Sequence, residues 1–136
     1  MMTRRTIILA LVSAGLALGA IAPALSASKH GVMQTLDPNG DGTIDLAEAR
    51  KVAGAVFDRI DHNKDGLVNK RELGGRVTPQ EFAAADRNRD GKLSKDEYLS
   101  VVEKRFKAAD PANTGKVSER ELFSRTGRPL ARLLLP

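Results

Sequence analysis

The segment Asp37–Glu48 reads DPNGDGTIDLAE. Its first, third, fifth, ninth and twelfth residues, Asp37, Asn39, Asp41, Asp45 and Glu48, carry side-chain oxygens, and Gly42 holds the sixth place. Like charges packed this densely repel one another. A single stretch of this kind is unremarkable, because Asn, Asp and Gly favour turns in any case. The grammar recurs, however, from Asp61, Asp86 and Asp110, at intervals of 24, 25 and 24 residues, each time with a Glu at the twelfth position. A repeat this regular points to a shared structural unit rather than to accidental acidic turns.

The four segments resemble EF-hand calcium loops, whose pattern is D-x-[DN]-x-[DN]-G-x5-E. Three match it completely, and the chain is similar to exported bacterial-type multi-EF-hand proteins of the calmodulin-like superfamily. The resemblance implies an all-α fold of four helix-loop-helix motifs with short loop-to-loop spacing, occupying residues 27–136, with loops at 37–48, 61–72, 86–97 and, in degenerate form, 110–121. It also implies the cofactor. Calcium is a hard cation that takes six to eight oxygens, and a chain wrapped around it presents alternate residues inward.

In loop one, Asp37, Asn39 and Asp41 would then offer side-chain oxygens, Thr43 its backbone carbonyl, Asp45 a direct or water-mediated contact, and Glu48 both carboxylate oxygens. Gly42 permits the sharp turn, and Ile44 would pair as a short strand with another loop. Loop two repeats the set with Asp61, Asn63, Asp65, the Leu67 carbonyl, Asn69 and Glu72; loop three does so with Asp86, Asn88, Asp90, the Lys92 carbonyl, Ser94 and Glu97. Lys92 is no obstacle, because that position coordinates through its backbone and the side chain can point to water. Loop four keeps Asp110, the Lys116 carbonyl, Ser118 and Glu121, but has Ala112 at the third position and Thr114 at the fifth. It is expected to bind weakly or not at all and to serve as a partner for another loop. The implied load is about three calcium ions, with magnesium as a competitor. Loop one, with the most carboxylates, should fill first.

Between loops one and two, Ala49, Val52, Ala53, Val56, Phe57 and Ile60 recur at helical spacing, and between loops three and four Tyr98, Val101, Val102, Phe106 and Ala109 do the same. One helix therefore leaves one loop and enters the next. At about 15 residues and roughly 22 Å it would hold consecutive loops at opposite ends. Two arrangements follow: loops one and three pair while two and four pair, or a helix breaks and neighbours meet. The best break is LGGRVTPQEF, where Gly74 and Gly75 stop a helix and Thr78, Pro79 and Glu81 start another. Met33, Phe57, Phe82 and Phe106 each stand four residues before a loop, where the EF-hand resemblance implies a core side chain, and they are expected in the core. Met33 is the only methionine after the leader, which argues against a broad Met-rich target groove.

Residues 1–26 have the layout of a secretory signal peptide: Arg4 and Arg5, an apolar run from Ile7, then small residues around Ala22, Ala24 and Ser26. The expected location is therefore periplasmic or secreted, with an uncleaved N-terminal membrane anchor as the alternative. The chain of 136 residues has no cysteine, hence no disulfide framework, and a formal charge of +5 that hides strongly anionic loops. No catalytic constellation is present in the sequence, His30 and His62 are expected to be solvated, and a non-enzymatic monomer without nucleic-acid specificity is the reading. The tail SRTGRPLARLLLP is basic, then apolar. It is expected to cap the last hand, to dock into the protein's own cleft, or to meet a protein or an anionic envelope partner. Calcium buffering or calcium-stabilised binding is the expected role, and a sensor that exposes apolar surface the alternative.

Overall fold

The structure, a computed structural model, describes residues 29–135; the leader expected over residues 1–26 lies outside them. Its elements are α1 (Lys29–Leu36), β1 (Thr43–Asp45), α2 (Leu46–Ile60), β2 (Leu67–Asn69), α3 (Lys70–Leu73), α4 (Pro79–Ala85), β3 (Lys92–Ser94), α5 (Lys95–Ala109), β4 (Lys116–Ser118), α6 (Glu119–Leu122) and α7 (Arg128–Leu134). None of the helices among the described residues is long and apolar enough to cross a membrane.

The helices are dominant, but the fold is not purely α. Each loop contributes a three-residue strand, and the strands form two antiparallel pairs. Thr43, Ile44 and Asp45 face Ser118, Val117 and Lys116, and Leu67, Val68 and Asn69 face Ser94, Leu93 and Lys92. Loop one therefore pairs with loop four, and loop two with loop three. This corrects the expected one-three and two-four arrangement, and it extends the broken-helix alternative, which foresaw only the meeting of neighbours.

The physical cause is the break itself. Helical continuity ends at Leu73 because Gly74 caps α3 in the left-handed conformation, with φ 55°, and Gly75 follows at φ 78°. Thr78 then opens α4 with a capping box to Glu81, and Pro79 sits in the first turn. The two halves of the chain fold back on each other, so the 15-residue helices α2 and α5 pack together antiparallel. The start of α2 then lies beside the end of α5, and the end of α2 beside the start of α5. Ion pairs join both ends: Arg50 with Glu103, and Lys95 Nζ with Asp58 Oδ1 at 2.9 Å.

The core runs the length of this antiparallel pair. Phe57 and Tyr98 meet with ring centroids 5.6 Å apart. The strand-centre residues Ile44, Val68, Leu93 and Val117 are fully buried. Met33, Phe57, Phe82 and Phe106, expected inside from the EF-hand resemblance, are all buried.

The tail is part of this core. Helix α7 packs against both α2 and α5, burying Leu130, Leu133 and Leu134. Three side chains grip its carbonyls: Tyr98 donates to Leu133 O at 3.0 Å, Arg76 to Arg132 O at 2.8 Å, and Arg105 to Pro129 O at 2.5 Å. The apolar half of the tail thus docks into the protein's own cleft, and those leucines are not displayed to a partner. Arg125, Arg128 and Arg132 remain exposed. Gly127 makes the approach to α7 possible, because a Cβ there would lie 2.0 Å from Glu121 O and 2.7 Å from Leu122 Cα.

Candidate metal centres

Each loop is built around its first aspartate. Asp37, Asp61, Asp86 and Asp110 are all buried. In every loop the Oδ2 of that aspartate accepts from the sixth-position glycine N–H, at 2.7, 2.9, 3.0 and 2.7 Å in chain order. Those glycines, Gly42, Gly66, Gly91 and Gly115, have φ between 76° and 82°, which is why glycine occupies the place. The fourth position is left-handed too. It is Gly40 in loop one but Lys64, Arg89 and Asn113 in the others, with φ of 58°, 57° and 53°.

The fifth position tightens the turn. Asp41, Asp65 and Asp90 each accept, through Oδ1, the seventh-position N–H at 2.9 Å. In loop four Thr114 does this with its hydroxyl at 3.3 Å, and the same hydroxyl lies 3.0 Å from the Lys116 carbonyl. Thr114 and Gly115 also donate backbone N–H groups to Asp110, and these donors hold its carboxyl below the usual range, the Thr114 amide foremost. Loop four therefore keeps the wrapped backbone although Ala112 supplies no oxygen.

The ninth and twelfth positions have a second duty that was legible in the sequence but is absent from a purely ligand-based reading. Asp45, Asn69, Ser94 and Ser118 are N-caps of the following helices, and Glu48, Glu72, Glu97 and Glu121 are the N3 partners that close a capping box in all four cases. The signal was the S/T/D/N-x-x-E spacing. Each glutamate Oε2 accepts the ninth-position N–H at 2.8–3.0 Å. Glu48 Oε1 accepts from Asn39 at 2.6 Å, and Glu97 Oε1 from the Arg87 N–H at 3.1 Å.

Across each strand pair a lysine reaches the neighbouring loop. Lys116 Nζ lies 2.7 Å from Asp41 Oδ2, and Lys92 Nζ lies 2.9 Å from Asp65 Oδ2. The Lys116 hydrogen bond is the largest cause that lowers the Asp41 carboxyl to about 2, and Lys92 likewise lowers Asp65. The Lys92 side chain is thus engaged with an acid rather than simply directed to water. His62 is exposed, as expected.

The donor set fits a hard divalent cation. It consists of carboxylate, amide and carbonyl oxygens without sulfur or imidazole, and it is a mixed set: among the described residues no three Asp, Glu or His side chains converge as a ready-made group. Asp61 Oδ1 carries the test of fit. It is buried without a hydrogen-bond donor, while Oδ2 of the same carboxylate is satisfied by Gly66. A buried oxygen in that state is an acceptor available to a cation or a water.

These loops and paired helices define a helix-loop-helix cation-binding protein. Residues 29–53, 54–77 and 80–102 match the family model described as EF hand, together just over half the chain. The chain belongs to the EF-hand family, whose domains bind calcium. The fourth loop lies outside the matched residues, in keeping with its Ala112 and Thr114. Among solved structures, a homolog of programmed cell death 6 protein from Leishmania major Friedlin is 17% identical, with 79% of this chain and 94% of that chain covered and a TM-score of 0.32. No curated protein matches the chain.

Proposed function

We propose that this is an exported calcium-binding protein in which loops one, two and three hold ions through the oxygens named above and loop four is a structural partner. Its role is that of a buffer or calcium-stabilised module, without catalysis. The observation that carries the choice over a sensor is α7: Leu130, Leu133 and Leu134 fill the cleft between α2 and α5, each no more than 1% exposed, where a target helix would otherwise dock. The three arginines left on the surface at 125, 128 and 132 favour contact with anionic envelope polymers over capture of an apolar helix. At constants between about 10⁻⁵ and 10⁻³ M such loops are largely filled at extracellular calcium, and magnesium competes where a loop is less acidic.

Calorimetric titration with calcium, run beside a dye that reports exposed apolar surface, tests the role. Heat of binding without dye fluorescence supports it; fluorescence rising in step with loading assigns a sensor. Mass measurement of the protein recovered from culture medium and envelope tests the export reading, which predicts loss of the residues before about position 27.

A further inference from the structure

The two interloop lysines hold the same position within their loops. Lys92 and Lys116 hold the seventh positions of loops three and four, and each ammonium contacts the fifth-position carboxylate of the loop paired with its own. The reverse contact is absent on chemical grounds. The seventh residues of loops one and two are Thr43 and Leu67, which carry no charge. Every strand pair therefore has one loop that supplies a cation and one that receives it.

We propose that Lys92 and Lys116 are built-in counter-cations that weaken calcium uptake by loops two and one, and so set the order in which loops fill. The inference rests on the calcium reading of the loops. Asp65 and Asp41 are carboxylates that an entering ion would draw on, and in both Oδ2 already has an ammonium within 3 Å. A positive charge at that distance opposes a second cation and partly neutralises the field that attracts it. The consequence is sharpest in the two-three pair. Loops two and three offer three acidic side chains each at ligand positions, Asp61, Asp65 and Glu72 against Asp86, Asp90 and Glu97, so ligand charge alone ranks them equal. The lysine breaks the tie: Lys92 pairs directly with Asp65 and acts on Asp90 of its own loop only as a weaker, longer-range charge, and loop three fills before loop two. In the one-four pair Lys116 offsets part of the advantage that four acidic side chains give loop one.

The test isolates loop two. Glu48→Gln and Glu97→Gln together silence loops one and three, and in that background Lys92, Lys92→Met and Lys92→Arg are compared by calorimetric calcium titration. The methionine variant is expected to bind about fivefold more tightly at low ionic strength, the arginine variant as the parent does. The gap should shrink in about 0.5 M KCl, where screening shortens the reach of the ammonium. Unchanged or weaker binding in Lys92→Met, against a parent that binds, overturns the lysine inference alone; no binding heat in the parent overturns the calcium reading instead. Lys116→Met, with Glu72→Gln and Glu97→Gln, repeats the measurement on loop one and decides the matter if Lys92→Met does not fold.

Discussion

The two loop pairs share a backbone and differ in chemistry. In the two-three pair both loops carry the full set of oxygen-bearing positions, whereas in the one-four pair the most acidic loop faces one with Ala112 and Thr114 at ligand places. Yet Asp110 still gathers N–H groups, Gly115 still turns at φ 79°, and Ser118 and Glu121 still close a capping box. What loop four has kept is the part that positions a neighbour. Its strand pairs with β1, its Val117 is fully buried, and its lysine reaches Asp41. On the proposed reading, scaffold and cage overlap without coinciding: the first, sixth and twelfth residues keep their type and, with the capping ninth, hold the backbone in all four loops, and the third and fifth are where loop four departs from the other three.

That departure sets the largest expected effect. Glu48→Gln, Glu72→Gln or Glu97→Gln should each remove one ion from the binding stoichiometry, while Glu121→Gln should leave the count unchanged. A lost ion in the last variant, seen by calorimetry, would erase the difference between the pairs.

The tail helix ties the pairs together from opposite sides, and two substitutions address them separately. Arg105 donates to both oxygens of Glu81, at 2.9 and 2.7 Å, and so anchors α4, which leads into loop three. Arg105→Ala leaves Glu81 and the Pro129 carbonyl without their donor and should cost about 3 kcal/mol in denaturant unfolding, of the order found when one partner of a largely buried ion pair is removed. Gly127→Ala acts at the other pair, because the new Cβ would strike the backbone of α6 next to loop four; a loss of about 1–3 kcal/mol is expected. Hydrogen exchange should locate the first loss around residues 79–97 and the second around residues 110–127. Identical exchange patterns for the two variants would count against this division.

A smaller effect follows from pH. Arg105, and then Thr78, hold the Glu81 carboxyl at about 2 against an ordinary 4.5. A carboxyl lowered on folding stabilises the native state above its unfolded value, so this contribution is complete above about pH 4.5 and is lost as pH falls toward 2. The expected contribution is about 1–2 kcal/mol, since the side chain is 27% exposed. In Arg105→Ala the stability profile between pH 4.5 and 2 should flatten.

Much of the fold was legible because its signals are local. Loop positions follow from residue type at fixed spacing, α2 and α5 from an apolar stripe, and the break at Leu73 from two glycines followed by Thr78-Pro79. The loop partners were not legible, because three-residue strands carry no pairing information of their own. Their register is imposed by the way α2 and α5 align after the break. The docking of α7 was one of three readings of the tail, and composition alone does not say which cleft accepts four leucines. Arg105 was missed for a plainer reason. It stands three residues after Val102 on the apolar stripe of α5, the placement that marks a buried arginine in need of an acid, and Glu81 lies far enough back in sequence to hide the match. The lysine contacts required the strand register before they could be seen at all.

Native mass spectrometry of the metal-stripped protein titrated with calcium, read beside helical circular dichroism, bears most directly on the loops as ion cages that organise the helices. Three bound ions, with helical signal gained as they load, is the predicted result. An apoprotein that takes up none, or that takes up ions with no change in its helices, would contradict it.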